Sequence, residues 1–161
     1  MSSIRHLVAV NGPDPEPGQD PATVNVVLAE DHPSMRRSLR QLLDGEPGIR
    51  VVAEAPDLNM AITAIHGHHP DVLVLDLRMP NGSSIDLIRR IRVQAADTNV
   101  VVITMHDGRA YASQAHQAGA VGYVLKDSAD DELPEAVRRA ARGEVYTSPR
   151  ITPRAARLSL S

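Results

Sequence analysis

Residues 72–80 (VLVLDLRMP) decide the fold of this chain. Four aliphatic residues in a row are typical of a strand that is buried on both faces of a parallel sheet. The run ends at a carboxylate, Asp76. Because parallel sheets of this kind bind ligands at the carboxyl ends of their strands, Asp76 is also the first candidate for a functional residue.

Four further runs rich in β-branched residues lie on either side of this stretch. They are 24–29 (VNVVLA), 51–53 (VVA), 100–103 (VVVI) and 121–125 (VGYVL). The segments between them carry apolar residues at helical spacing, as with Met35, Leu39 and Leu43. This alternation with short connections predicts an α/β fold with a doubly wound parallel sheet that has helices on both faces.

Capping and breaking residues place some of the helix ends. Asp57 is a candidate N-cap for the second helix. Pro134 falls inside the last helical segment, so that helix either starts late, with Asp131 as its N-cap, or is kinked. The fourth segment, 107–118, has only Tyr111 and alanines to bury, which predicts the least firmly held helix.

Composition limits the function. The chain has 161 residues and is 42% hydrophobic, which is enough for one sizeable core. It has no Phe or Trp, which excludes an aromatic platform for single-stranded nucleic acid, and no Cys, which excludes thiolate metal sites and cysteine nucleophiles. The formal net charge of -3 gives no polyanion-binding character. No apolar run approaches a membrane span of roughly 18 residues, so we expect a cytoplasmic protein without membrane contact.

Three segments follow from these patterns. Residues 1–23 include a Pro-rich, acidic stretch and predict a flexible tail. Residues 24–146 hold the strand and helix signals and predict one domain. Residues 147–161 are Arg- and Pro-containing with little apolar periodicity, and predict a linker or a second tail.

Polar residues that can meet in one pocket follow the first, third, fourth and fifth predicted strands. They are Glu30 and Asp31 after the first strand, Asp76 after the third, Thr104 after the fourth and Lys126 after the fifth. Three carboxylates in one pocket repel one another unless they share a cation, and oxygen ligands without His or Cys favour Mg²⁺. Lys126 is the only lysine among the 17 Lys and Arg residues. Together these groups suit a phosphoryl group, with the Asp76 carboxylate as nucleophile.

Four ordered motifs resemble the receiver domain of two-component response regulators over residues 24–146. They are LAEDHP, VLVLDLRMP, VVVITMH and GYVLKD. The pieces AEDHP, ITMH, YVLKD and ARGEVYTSP are most similar to the NarL/FixJ group, which carries a LuxR-type helix-turn-helix output domain. The resemblance implies a flavodoxin-like (βα)5 fold with five strands in the order 2-1-3-4-5.

The resemblance also implies a role for each site residue. Asp76 would accept a phosphoryl group from a sensor histidine kinase, without true enzymatic turnover. Mg²⁺ would be held by Glu30, Asp31, Asp76 and the backbone carbonyl of Arg78. Thr104 and Tyr123 would form the switch pair, and Lys126 would contact the phosphoryl group. One departure is Ser84, which stands where the family commonly has Gly, with Gly82 nearby, so that the loop is expected to take another path.

The output function is open at this point. Residues 147–161 are too few to form a DNA-binding unit. We therefore expect transcription regulation through a LuxR-type domain only in a longer form, together with homodimerisation on phosphorylation. The alternative is a stand-alone receiver or pseudo-receiver that acts as a protein-interaction module. A phosphatase with turnover is disfavoured because Arg78, not an acid, lies two residues after Asp76. The histidines at 66, 68 and 69 fit a solvated turn better than a metal site.

Overall fold

The computed structural model describes residues 22–151. Its strands are β1 (Val24–Ala29), β2 (Ile49–Ala55), β3 (Val72–Asp76), β4 (Asn99–Thr104), β5 (Gly122–Leu125) and β6 (Tyr146–Thr147). Its α-helices are α1 (Pro33–Asp44), α2 (Leu58–His68), α3 (Ser84–Gln94), α4 (Arg109–Ala118) and α5 (Ala129–Ala141), and a 3₁₀ turn (Lys126–Ser128) precedes α5. The tails predicted at the two ends lie, for residues 1–21 and 152–161, outside the described residues.

All neighbouring strands pair in parallel, in the order β2-β1-β3-β4-β5-β6. The predicted α/β class and the order of the first five strands are confirmed. The prediction of five strands is wrong, because β6 pairs with the outer edge of β5. Its two residues stand between Gly143 and Pro149, so the run is too short to produce a period-two signal in the sequence.

The segment after α5 is held firmly to β5. The amide of Tyr146 donates to the Val121 carbonyl at 2.8 Å, and the amide of Ser148 donates to the Tyr123 carbonyl at 2.9 Å. The buried Ser148 hydroxyl accepts a 3.0 Å hydrogen bond from the Leu125 amide and donates to Glu132. Ile151 packs into the same apolar cluster as Tyr123. Residues 146–151 therefore complete the edge of the sheet.

The sheet separates two apolar layers. Helices α2, α3 and α4 cover one face and α1 and α5 cover the other. Alternate residues of β1 point to opposite layers, with Val27 and Ala29 in the first and Val26 and Leu28 in the second. All five residues of β3 are buried, as the run VLVLD predicted. At the β4–β5 pair, Gly122 has no room for a side chain, because a Cβ there would lie 2.9 Å from Val101 Cγ2.

Local chemistry explains where α1 and α2 begin. Pro33 occupies the first turn of α1, where its missing N–H costs nothing. Asp57 is the N-cap of α2, and its side chain accepts a 2.8 Å hydrogen bond from the Met60 amide, as predicted.

Helix α4 buries only alanines, namely Ala112, Ala115 and Ala118. Among residues 22–151, no helix has the length and apolar character needed to span a bilayer.

Helix α5 corrects one expectation. It begins at Ala129, directly after the 3₁₀ turn, so it does not start late at Asp131. Pro134 lies within the helix and is buried. The apolar stripe that includes Leu133 and Val137 packs on the sheet and offsets the hydrogen bond that proline cannot make. The free energy gained by burying this stripe outweighs the tendency of proline to break a helix.

Candidate functional site

The carboxyl ends of β1, β3, β4 and β5 meet at one edge of the sheet. Glu30 directly follows β1, Asp76 and Thr104 are the last residues of β3 and β4, and Lys126 directly follows β5. Glu30, Asp76 and Thr104 are polar but buried, and each has at most 3% of its surface exposed. The structure therefore brings together the residues that the sequence placed at separate strand ends.

Lys126 connects two of the carboxylates. Its Nζ lies 2.8 Å from Glu30 Oε1 and 3.0 Å from Asp76 Oδ2, and its side chain is 9% exposed. Burial alone would lower the pKa of this ammonium group, but the two carboxylates outweigh burial and hold the Lys126 pKa above its usual value. Lys126 thus stays a fixed positive charge beside Asp76.

The two buried carboxyl groups differ in their proton affinity. Burial favours the neutral form of Glu30, but the hydrogen bonds from Lys126 and the His32 amide outweigh it and hold the Glu30 pKa below its usual value. Burial raises the pKa of Asp76, assisted by the charge of Glu30 and only partly offset by the Arg78 amide and Lys126. Lys126 therefore compensates the Asp76 charge only in part, and a cation at this site would supply the remaining positive charge.

The donor set fits a divalent cation. Ligand-capable atoms of Glu30, Asp31, His32 and Asp76 all lie within 4.8 Å of one another. Asp31 Oδ1 is buried beside the His32 ring nitrogen, 3.2 Å away, and adds a third carboxylate to this group. Oxygen ligands of this kind suit Mg²⁺. Among the described residues this is the only group of three or more such side chains, and His66, His68 and His69 are exposed.

Arg78 contributes its main chain. Its amide donates a 3.0 Å hydrogen bond to Asp76 Oδ1, so the backbone folds back toward the carboxylate directly after β3. The exposed side chain of Arg78 lines the same cavity as Asp31, Asp76 and Lys126. The Asp76–Arg78 turn therefore fixes the carboxylate at the floor of an open cavity.

Thr104 and Tyr123 meet through His106. The His106 amide donates to Thr104 Oγ1 at 3.1 Å, and the Tyr123 hydroxyl donates to the His106 carbonyl at 2.8 Å. The His106 ring stacks on Tyr111 of α4, with ring centroids 4.5 Å apart. Burial raises the pKa of Tyr123 to about 12. The β4–α4 loop therefore links the predicted switch pair to α4, whose buried side chains are all alanines.

Two further residues belong to the site and were missed by the sequence analysis. The His32 ring lies 3.2 Å from Glu30 Oε2 and from Asp31 Oδ1. Ser84 is buried, and its hydroxyl donates a 2.9 Å hydrogen bond to the Asp76 carbonyl. The position of His32 next to two acidic residues was a signal that could have identified it. Ser84 carried no such signal, because a departure from Gly does not show where the hydroxyl points.

The loop before α3 takes positive φ angles. Asn81 has φ 72° and Gly82 has φ 135°, a region that glycine adopts without strain and asparagine more readily than most residues. These two residues turn the chain so that Ser83 caps α3 and Ser84 reaches back to β3. The loop thus holds the main chain of Asp76 in place through the hydroxyl of Ser84.

Most of the described residues match one known family. Residues 26–138 match the model of the response regulator receiver domain family. The nitrate/nitrite response regulator protein NarP of Escherichia coli is 39% identical over 126 residues, which are 78% of this chain and 59% of NarP. The chain spans about 55 to 60% of the length of the curated relatives it matches.

Solved structures show the same fold. A LuxR-family response regulator from Aurantimonas sp. SI85-9A1 gives a TM-score of 0.79 at 36% identity, covering 86% of this chain and 99% of that one. The isolated receiver domain of RcsB from Salmonella enterica serovar Typhimurium, with phosphomimetic BeF3⁻, gives 0.74 at 30% identity, covering 80% and 96%. A structure of two RcsB dimers bound to two parallel DNAs also gives 0.74 at 30%, covering 80% and 66%.

Proposed function

Because this chain belongs to the response regulator receiver domain family, we propose that it is a phosphorylation-dependent switch of a two-component system with Asp76 as the phosphoryl acceptor. The observation that carries the proposal is the buried contact of Lys126 with both Asp76 and Glu30. A buried ammonium between two carboxylates, next to an open cavity, is suited to a transferred phosphoryl group. The donor in the cell is a sensor histidine kinase.

Each residue has a defined part in the transfer. An Asp76 carboxylate oxygen forms the new O–P bond while the bond from phosphorus to the donor breaks and its electron pair leaves with the donor. Lys126 neutralises charge on the phosphoryl oxygens. Thr104 Oγ1 already accepts a hydrogen bond from the His106 amide, so its own hydrogen is free to donate to a phosphoryl oxygen.

A bound Mg²⁺ would neutralise the carboxylates and the incoming phosphoryl oxygens. Glu30, Asp31, Asp76 and the Arg78 carbonyl are the proposed ligands. The position of Asp31 supports this assignment, because one of its oxygens lies within 4.8 Å of ligand-capable atoms of Glu30 and Asp76. The acceptor residue is itself modified, so the domain is a signalling protein and not a true enzyme.

Phosphate uptake tests the proposal directly. The chain, incubated with acetyl phosphate and Mg²⁺, is expected to gain one phosphoryl group by intact-mass analysis. Asp76→Asn is expected to gain none, and Asp97→Asn, at an exposed position, is the matched control. Equal labelling of Asp76→Asn would exclude Asp76 as the acceptor. No labelling of the parent chain would leave the pseudo-receiver function as the better explanation.

We further propose that, in a longer form, this cytoplasmic receiver controls transcription through a LuxR-type output domain and dimerises when phosphorylated. The curated relatives DegU, YxjL and NarL are described as transcriptional regulatory proteins, and the RcsB relative is seen as dimers on DNA. The present chain alone is not expected to bind DNA specifically, because phosphate contacts alone give weak, salt-sensitive association. A gel shift at physiological salt that discriminates sequences would contradict this.

A further inference from the structure

The side chain of Arg36 on α1 reaches the peptide that joins the two acidic residues of the site. Its Nη1 donates a 2.7 Å hydrogen bond to the Glu30 carbonyl, and its Nε lies 3.1 Å from Glu54 Oε1 on β2. The side chain is 20% exposed. Arg36 therefore lies beneath the site, and it touches neither Asp76 nor the open cavity.

The Glu30 carbonyl has a special position in the chain. β1 ends at Ala29, and the Glu30 amide makes the last contact to β2, with the Ala55 carbonyl at 3.0 Å. The carbonyl of Glu30 belongs to the same planar peptide as the Asp31 amide. Fixing that oxygen therefore fixes the direction in which Asp31 leaves the strand.

A second layer of contacts holds Arg36 itself. Glu54 also pairs with Arg40, one turn further along α1, and Arg40 lies 3.2 Å from Asp44 Oδ2. Asp44 in turn accepts a 2.9 Å hydrogen bond from the Val51 amide. Because Arg presents several donors in a rigid plane, Glu54 on one side sets where the other side points. The network joins α1 and β2 and ends at the Glu30 carbonyl.

We propose that Arg36 is a positioning residue for the metal site, which sets the affinity for Mg²⁺ by holding the Glu30–Asp31 peptide. The inference rests on the proposed function, because it assumes that these carboxylates bind the cation. Groups that orient metal ligands commonly contribute about 10-fold to 100-fold to metal affinity. We expect an effect near the lower end, since Arg36 holds the backbone and not a ligand atom.

The sign of the effect separates positioning from general electrostatics. Arg36 is a positive charge close to a cation site, so its removal would strengthen Mg²⁺ binding if charge alone mattered. Weaker Mg²⁺ binding by a variant that still folds therefore indicates lost positioning. Arg37, its neighbour on α1, is exposed and makes no hydrogen bond or ion pair with any described residue. Arg37→Ala removes the same charge without the contact and is the matched control.

Calorimetric titration of the whole chain with Mg²⁺, at constant ionic strength, measures the affinity directly. Arg36→Ala is expected to bind about 10-fold more weakly than the parent, and Arg37→Ala equally well or slightly more tightly. Arg36→Lys is expected to recover part of the loss, since an ammonium group can reach the carbonyl but cannot also present a planar fork to Glu54. Arg36→Met removes the hydrogen bond but keeps the aliphatic part of the side chain, and it covers the case that Arg36→Ala does not fold; a similar weakening of Mg²⁺ binding is expected.

Kinetics supply a second readout. Phosphorylation of Arg36→Ala by acetyl phosphate is expected to need more Mg²⁺ but to reach the parent's maximal rate. Parent-like Mg²⁺ affinity in Arg36→Ala, or equal weakening in Arg37→Ala, would overturn the positioning role. Asp31→Asn separates the two proposals: if it binds Mg²⁺ as well as the parent does, the metal site and the proposed function fail together. If Asp31→Asn loses Mg²⁺ binding and Arg36→Ala does not, the positioning role of Arg36 is refuted while the metal site stands.

Discussion

The Tyr123 hydroxyl donates a 2.8 Å hydrogen bond to the carbonyl of His106. The amide of the same histidine donates to Thr104 Oγ1 at 3.1 Å, so one residue touches both members of the proposed switch pair through its main chain. Its ring stacks on Tyr111 of α4. A movement of Thr104 toward a phosphoryl group would therefore disturb the β4–α4 loop and the start of α4 together.

Hydrogen exchange should locate this response. With Mg²⁺ and the phosphate mimic beryllofluoride, amide protection is expected to change most within residues 104–126, because α4 is held by buried alanines only. Asp76→Asn under the same conditions is the control and is expected to show no change. Changes confined to α1 and α2 would contradict the proposed route.

The ionisation of Tyr123 gives the domain a defined alkaline limit. Burial raises its pKa to about 12, whereas an unfolded tyrosine ionises near 10. The resulting stability is therefore fully present below a pH of about 10 and is lost as the pH rises through about 12. Urea unfolding across this range is expected to show a shallower decline for Tyr123→Phe than for the parent.

Tyr146 has a pKa raised to about 12 by burial as well, so the measurement needs a clean background. The chain has three tyrosines, and the double variant Tyr111→Phe with Tyr146→Phe leaves Tyr123 as the only phenol. Its phenolate absorbance is expected to rise near pH 12. A rise near pH 10 in the folded protein would show that Tyr123 is not shielded from solvent.

Arg78 is expected to prolong the phosphorylated state. Its exposed side chain borders the cavity above Asp76, where a guanidinium group can cover phosphoryl oxygens that water would otherwise approach. Arg78→Asn should shorten the half-life of phosphorylated Asp76 several-fold without weakening Mg²⁺ binding. Arg89→Asn, on the exposed face of α3, is the control. An unchanged decay rate in Arg78→Asn would exclude shielding.

Gly122 is required by packing. Gly122→Ala places a methyl group 2.9 Å from Val101 in the fully buried β4–β5 pair, and overpacking of this kind costs about 1–3 kcal/mol. Gly67→Ala, near the end of α2 with open space around it, is expected to stabilise the chain by up to about 1 kcal/mol. Urea unfolding of both variants checks the contrast, and similar free energies would disprove the packing argument.

Ser148 tests the extra strand. Ser148→Ala leaves the Leu125 amide without its acceptor and removes a donor to Glu132, and a buried unsatisfied group costs about 1–3 kcal/mol. Ser38→Ala, on the exposed side of α1, is expected to change the free energy of unfolding by less than about 0.5 kcal/mol. Equal effects of the two changes would show that residues 146–151 add little to the stability of the domain.

The sequence predicted those features that depend on a long local pattern. Continuous aliphatic runs such as 72–75 identified the buried strands, and the polar residues after the first, third, fourth and fifth runs identified the edge where the site lies. Asp57 was recognisable as a cap because its role needs only the next three residues. Features that depend on a distant partner were missed. Tyr146 and Thr147 form a strand only because the free edge of β5 is available.

The arginines on α1 show the same limit at the site. By pattern they belong to a solvated helix face, and Arg37 is indeed exposed. Arg36 differs from Arg37 because β2 brings Glu54 beside it and the Glu30 carbonyl, directly after β1, accepts a hydrogen bond from it. Neither contact follows from the spacing of residues along the helix. Likewise, Pro134 indicated either a late helix start or a kink, and only the packing of α5 on the sheet shows why the helix includes it.

Tyr123 is the one aromatic ring in the core of the described residues, since Tyr111 is 44% exposed, Tyr146 is half-buried, and the chain contains no Phe or Trp. The near-ultraviolet circular dichroism of the folded domain should thus arise chiefly from this ring, because a rigid, asymmetric environment is what makes an aromatic group optically active. The protein consequently carries a built-in optical reporter at its proposed switch. Ellipticity near the tyrosine absorption band can follow activation in real time without any attached dye.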